Sequence, residues 1–183
     1  MVVNGSFASR RAQGANALLA RMTRHVRVFP FVALALAALA ATGWFARREA
    51  ADIAGSAQVI DGDSLVVAGV EIRLYGIDAP EYGQPCFRRG RPWRCGIDAT
   101  RTLRAMIAGR PVACRSREED RYGRTVATCS VAGDDLGAAM VAGGHAVAYG
   151  AYQTEERAAR NAGRGIWSSR FETPVAWRAQ HPR

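Results

Sequence analysis

The run AQVIDGDSLVVAGVEIRLYGIDAPE, residues 57–81, reads as three short β-type segments separated by two turns. AQVI (57–60) stops at Asp61-Gly62-Asp63, a turn composition. SLVVA (64–68) stops at Gly69-Val70. In EIRLYGI (71–77) Ile72 and Leu74 alternate with Arg73 and Tyr75, so one face is apolar and the other presents the arginine. Asp78 follows where the strand runs out, and Pro80 stiffens the turn that presents Glu81.

Downstream, Ile97 to Ala108 predicts a helix with Leu103, Met106 and Ile107 as its apolar stripe and Gly109 as its stop. VACRSR (112–117), the loop EEDRYG (118–123) and RTVATCSV (124–131) predict a hairpin. Asp134 or Asp135 caps a second helix that runs to Val141 and closes at Gly143-Gly144. Thr154 caps a third, with Glu155 and Glu156 favourably placed in its first turn. Five short strands interleaved with about three helices predict an α+β arrangement, a small β-barrel with helices packed on it. The five-stranded OB-type barrel is the natural candidate.

Upstream, residues 47–56 (RREAADIAGS) read as a polar linker, and Val28 to Ala46 is an uncharged, mostly apolar run of nineteen residues. That is long enough to span a bilayer as a hydrophobic helix. Arg10, Arg11, Arg21, Arg24 and Arg27 precede the run, which keeps residues 1–27 cytoplasmic and sends the remainder across the membrane. The run serves either as an uncleaved signal-anchor, attaching the protein to the membrane through 28–46, or as a cleaved signal peptide, since Ala38 and Ala40 suit a peptidase. A start at Met22 instead of Met1 gives the compact basic opening Met22-Thr23-Arg24-His25-Val26-Arg27. On either reading the domain faces the periplasm or exterior, or is secreted. Residues 57–170 form the globular domain and 171–183 a tail.

All 25 basic residues are arginine, and the formal charge is +9. Residues 1–50 hold seven arginines and one acid, so most of the excess is N-terminal and the globular part is only mildly basic. Charge alone therefore says little about a polyanionic partner. There is no Cys-x-x-Cys pair and His25, His145 and His181 are scattered, so the sequence offers no ligand spacing that points to a zinc site. Four cysteines behind an apolar N-terminal segment point to disulfides in an oxidising compartment. Cys114 and Cys129 flank the hairpin loop almost symmetrically about Arg121, so pairing of its strands brings them opposite each other. That leaves Cys86 with Cys95, closing a loop around Arg91-Pro92-Trp93.

Three segments carry candidate chemistry. Asp61-Gly62-Asp63 offers carboxylate oxygens to a hard cation. Arg73, Asp78 and Glu81 follow one strand and its turn. Asp120-Arg121-Tyr122-Gly123-Arg124 adds a second arginine and a tyrosine, suited to bidentate phosphate contact and to stacking. Each segment alone is an ordinary turn or hairpin tip. Taken together they supply cation ligands, two arginines to neutralise charge on phosphorus, and a glutamate to activate water.

The ordered set VIDGDSL, RLYGIDAPE and DRYGRTVA resembles the staphylococcal nuclease (thermonuclease) family over roughly residues 57–167. The resemblance implies an OB-type barrel and calcium-dependent hydrolysis of DNA and RNA, in which the 5′-oxygen leaves and products carry 3′-phosphates. It implies that Asp63, Asp78 and the Ala79 carbonyl bind calcium, with Asp61 close by but less direct. Arg73 and Arg124 match the phosphate-binding arginines, Glu81 the general base, and Tyr122 the tyrosine beside the nucleotide. Tyr149 and Tyr152 correspond to tyrosines lining the substrate pocket. Where the family's best-known member has threonine this chain has Ala79, a change a backbone ligand tolerates. The cysteine pair within 82–96 is also absent from that member and borders the site. A monomer is expected. A non-catalytic nucleic-acid-binding OB module would lack one of Arg73, Glu81 and Arg124, and all three are present. An envelope or surface-polysaccharide adaptor is permitted by the apolar run but not required by it.

Overall fold

The computed structural model describes residues 52–182. The basic segment 1–27, the apolar run 28–46 and the first half of the linker, 47–51, lie outside the described residues. In chain order the strands are β1 (Ile53–Gly55), β2 (Ala57–Val59), β3 (Ser64–Val67), β4 (Val70–Leu74), β5 (Ile77–Asp78), β6 (Cys86–Arg88), β7 (Arg91–Trp93), β8 (Val112–Glu119), β9 (Thr125–Val131), β10 (Asp134–Asp135) and β11 (Val147–Ala148). The helices are α1 (Cys95–Ile107), α2 (Leu136–Ala142), α3 (Gln153–Asn161) and α4 (Pro174–Gln180), with a 3₁₀ turn at Gly165–Ser168. Among the described residues no helix is long and apolar enough to cross a membrane.

The main sheet has the order β1-β8-β9-β4-β3-β2. β2, β3 and β4 form the expected antiparallel meander, and β4 then runs parallel to β9, with Arg73 beside Val126. β8 and β9 pair as a hairpin that places Cys114 opposite Cys129. The two ends of the sheet, β1 and β2, are separated in sequence only by Ser56, so the sheet must curl round to bring its edges together. This arrangement, with its helices, fits an OB-like α+β fold.

Alternation sets the core. Leu65 and Val67 of β3, Ile72 and Leu74 of β4, and Val112, Cys114, Cys129 and Val131 of the hairpin all point inward. Leu103 and Ile107 of α1 and Leu136, Met140 and Val141 of α2 close over them. A second, smaller cluster joins Cys86, Cys95 and Ile166, with Trp93, Trp167 and Phe171 against it. The disulfides are Cys86–Cys95 and Cys114–Cys129, one in each cluster. Both fit an oxidising compartment.

Several elements differ from the sequence reading. The end of the presumed linker is a strand: β1 pairs with β8, and Asp52 accepts the Ser116 N–H at 2.8 Å. Three small residues carry too little pattern to announce it. The stretch read as tail contains α4, whose signal is Thr173-Pro174, an N-cap followed by proline at the first turn. The third helix starts at Gln153 and is capped by Tyr152, in the left-handed region at φ 64°, not by Thr154. Thr154 instead accepts from Arg157 within that turn. α1 begins two residues earlier than Ile97, at Cys95.

Candidate active site

The Asp61-Gly62-Asp63 turn is pressed against the start of the next segment. A Cβ on Gly62 would lie 2.7 Å from the Ala79 Cβ and 2.8 Å from that of Ala99, so only glycine lets the turn seat there. Asp61 accepts the Asp63 N–H at 3.1 Å, which closes the turn and aims Asp63 inward. The Asp63 carboxylate is buried; it accepts from the Ser64 hydroxyl at 3.0 Å and from the Ala79 N–H at 3.2 Å. Burial pushes its pKa up to about 7, against the pull of Arg73.

Arg73 is on the outward face of β4, as its alternation requires. Its Nη2 stands 3.2 Å from Asp63 Oδ2 and 2.9 Å from Asp78 Oδ1. One nitrogen thus bridges two buried carboxylates that are 15 residues apart in sequence. Asp78 is held at the end of β5, whose partner β11 pairs Val147 with it. Two carboxylates converging on one cationic group also suit a hard divalent cation. Among the described residues, no group of three or more His, Cys, Asp or Glu forms a complete metal cage. An ion held there would take its remaining ligands from backbone carbonyl, water and substrate.

Glu81 lies on the turn after Pro80. Gln84 braces that turn twice: its N–H donates to the Glu81 carbonyl at 2.8 Å, and its Oε1 accepts the Glu81 N–H at 3.1 Å. Arg178 of α4, which nothing in the sequence singled out, reaches the same place. Its Nη1 is 2.9 Å from Asp78 Oδ1 and 3.0 Å from Glu81 Oε1, and its Nη2 is 3.0 Å from Asp78 Oδ2. The hydrogen bonds to Asp78 hold the Arg178 pKa above its ordinary value.

Arg124 and Tyr122 form a separate cluster at the β8–β9 tip. Arg124 Nε and Nη2 both meet Asp120 Oδ2 at 2.8 Å, and Asp120 Oδ1 accepts the Tyr122 and Arg124 N–H groups. Tyr122 is 68 % exposed, beneath the guanidinium groups of Arg121 and Arg124. Thr125, the next residue, pairs with Ile72, so this cluster stands beside the strand that carries Arg73. Tyr149 is exposed, and its N–H donates to the Gly76 carbonyl. Tyr152 is half-buried and committed to structure: its hydroxyl donates to Asp135 Oδ2 at 2.8 Å, tying the start of α3 to the cap of α2. Burial and that bond push its pKa up.

Residues 71–169 match the family described as staphylococcal nuclease homologue, and the chain belongs to that family. It is 39% identical over 134 residues to a succinoglycan biosynthesis protein, ExoI, of Rhizobium meliloti, covering 69% of this chain and 70% of that one. It is 33% identical over 141 residues to an uncharacterized endonuclease of Escherichia coli, covering 70% and 86%. It is 32% identical over 124 residues to the probable staphylococcal-like nuclease CAN1 of Oryza sativa, covering 64% of this chain and 35% of that protein.

Proposed function

We propose that this protein is a calcium-dependent nuclease that hydrolyses phosphodiester bonds of DNA, RNA or both. Family membership and the endonuclease names of its relatives support the cleavage reaction. The observation that carries the chemistry is the convergence of Asp63 and Asp78 on Arg73, with Glu81 joined to the same cluster through Arg178.

Asp63, Asp78 and the Ala79 carbonyl are the groups that would hold calcium, with Asp61 bracing Asp63. Bound there, the ion supplies Lewis-acid stabilisation of charge on a phosphate oxygen. With only two protein carboxylates the affinity is weak, roughly 10⁻⁴–10⁻³ M. Arg73 holds a second oxygen of the same phosphate. Asp120 takes the Nε and Nη2 of Arg124, which orients the guanidinium and leaves its Nη1 for phosphate. Glu81 accepts a proton from the attacking water. As the new oxygen–phosphorus bond forms, the bond to the 5′-oxygen breaks and its electron pair leaves with that oxygen, so the phosphate stays on the 3′ side. Tyr122 and Tyr149, both exposed, offer surfaces for the nucleotide. Arg178 must release Asp78 and Glu81 for these roles to operate.

The two disulfides support a working place outside the cytoplasm. The same reading takes the domain as an OB barrel extended beyond 57–170 by β1 and α4, acting as a monomer, anchored or released through residues 28–46. The direct test is incubation of single-stranded DNA, double-stranded DNA and RNA with the protein in calcium or in chelator. Cleavage in calcium alone is expected, and cleavage undiminished by chelator would overturn the cofactor. A second reading, an envelope-polysaccharide accessory, is favoured only by the name of the Rhizobium meliloti relative. Binding of an acidic polysaccharide with nucleic acid left uncut would favour it.

A further inference from the structure

We infer that the β6–β7 hairpin is an arm that grips the phosphodiester backbone of a nucleic-acid strand beyond the nucleotide held in the site; this rests on the nuclease reading above. Four arginines, Arg88, Arg89, Arg91 and Arg94, lie between Gln84 and Ile97 with no acid among them, and all four are exposed. The globular part is only mildly basic, so this density is local. Among the described residues no side-chain hydrogen bond or ion pair engages Arg89, Arg91 or Arg94. Folding does not explain the arginine at the tip either. Arg89 and Gly90 form the two-residue loop with φ 51° and 77°, a turn that favours asparagine or aspartate before glycine. An arginine there sits in the left-handed region at a steric cost and faces solvent.

The arm is already rigid. Cys86–Cys95 staples its base. Phe87 and Arg170 exchange backbone hydrogen bonds at 2.8 and 2.9 Å, Arg88 donates to the Gly165 carbonyl at 3.2 Å, and the Trp93 indole donates to Ser169 Oγ at 2.9 Å. The Arg88 guanidinium lies 4.5 Å from the Trp93 ring centroid, and Phe87 is partly exposed beside it. Arginines interleaved with aromatics on a pre-ordered ribbon suit a single strand, whose phosphates and bases both find partners at little entropic cost.

Its root lies against the catalytic turn. Gln84, which braces Glu81, is two residues before Cys86, and the Cys95 sulfur is 3.4 Å from the Gln84 carbonyl. Gly96, the residue after Cys95, packs so closely on the Glu81 carbonyl that a Cβ would overlap it. Three residues per strand carry the tip about 10 Å from that root, so a strand leaving the cleft meets the arginines.

The test uses the full chain with Arg89→Gln, Arg91→Gln and Arg94→Gln combined. A second triple variant, Arg101→Gln, Arg104→Gln and Arg110→Gln, removes the same charge from the exposed side and end of α1. Fluorescence anisotropy with a labelled 20-nucleotide single strand, in chelator, reads affinity against salt. The arm variant should bind about tenfold or more weakly at about 0.1 M salt, with the slope of log affinity on log salt shallower by roughly 2. The α1 variant should lose less than half as much on both measures. Equal losses in the two variants, or no loss in the arm variant, would overturn the arm. So would a parent that fails to bind the strand at about 50 mM salt. An arm variant that binds the strand as the parent does but no longer binds phosphatidylserine vesicles would assign the arginines to a membrane and overturn the proposal. Cleavage of the same strand by the parent in calcium is scored separately. A parent that cleaves while the arm variant binds normally sinks the arm alone; a parent that never cleaves while the arm variant loses binding sinks the nuclease reading and leaves the arm.

Discussion

Arg178 grips both carboxylate oxygens of Asp78, at 2.9 and 3.0 Å, from a helix 100 residues further along the chain. The same Nη1 also reaches Glu81, so one side chain of α4 closes on two groups assigned to the reaction.

Removing that side chain should therefore favour the cation. Arg178→Gln is expected to tighten calcium binding by a few-fold to roughly tenfold, a modest figure because the side chain is 39% exposed. It should also raise hydrogen exchange in α4, which loses its anchor. Calorimetric titration in the absence of substrate reads the first effect. Weaker calcium binding in the variant would mean that Arg178 supports the cation site instead of competing for it.

The close packing of Gly96 on Glu81 predicts a coupled loss. Gly96→Ala must displace the Glu81 backbone, costing about 1–3 kcal/mol of stability as an overpacking defect. Because Glu81 moves with it, kcat should fall as well. Thermal unfolding and initial rates at saturating substrate check both; a variant with parental rate would separate the hairpin root from the site.

His145 sets a pH dependence. Burial lowers its pKa below 6.5, against the pull of Asp98, whose Oδ2 is 3.4 Å from Nδ1. The folded form thus takes up the proton less readily than the unfolded chain. Well above pH 6.5 neither state is protonated and nothing is lost; as pH approaches and falls through that value the unfolded chain is protonated first, and stability drops. The thermal midpoint should fall between about pH 7 and pH 5.5, and His145→Gln should flatten that part of the profile. An unchanged profile in the variant would assign the slope to other groups.

Much of the site was legible because its signals are short-range. Asp61-Gly62-Asp63 is a turn by composition, and alternation in 71–77 sends Arg73 to the face opposite Ile72 and Leu74. The Cys114–Cys129 pair followed from hairpin symmetry, which the register Cys114↔Cys129 matches, and Cys86–Cys95 from the two cysteines that remained. Long-range features were not legible. β1 is a strand only because β8 offers it an edge, and Arg178 matters only because α4 folds back over β5. Tyr152 stands at the N-cap of α3 without a side-chain cap, and its hydroxyl is tied to Asp135, 17 residues earlier, a long-range contact that the local composition around Thr154 does not announce.

The most direct test of the proposed mechanism is the rate of single-stranded DNA hydrolysis by Glu81→Gln at saturating calcium and substrate, with folding confirmed by its thermal midpoint. Glu81 as the group that takes the water's proton predicts a kcat lower by about 10²–10⁴. A folded Glu81→Gln protein that cleaves at the parental rate would contradict the assignment of the active site.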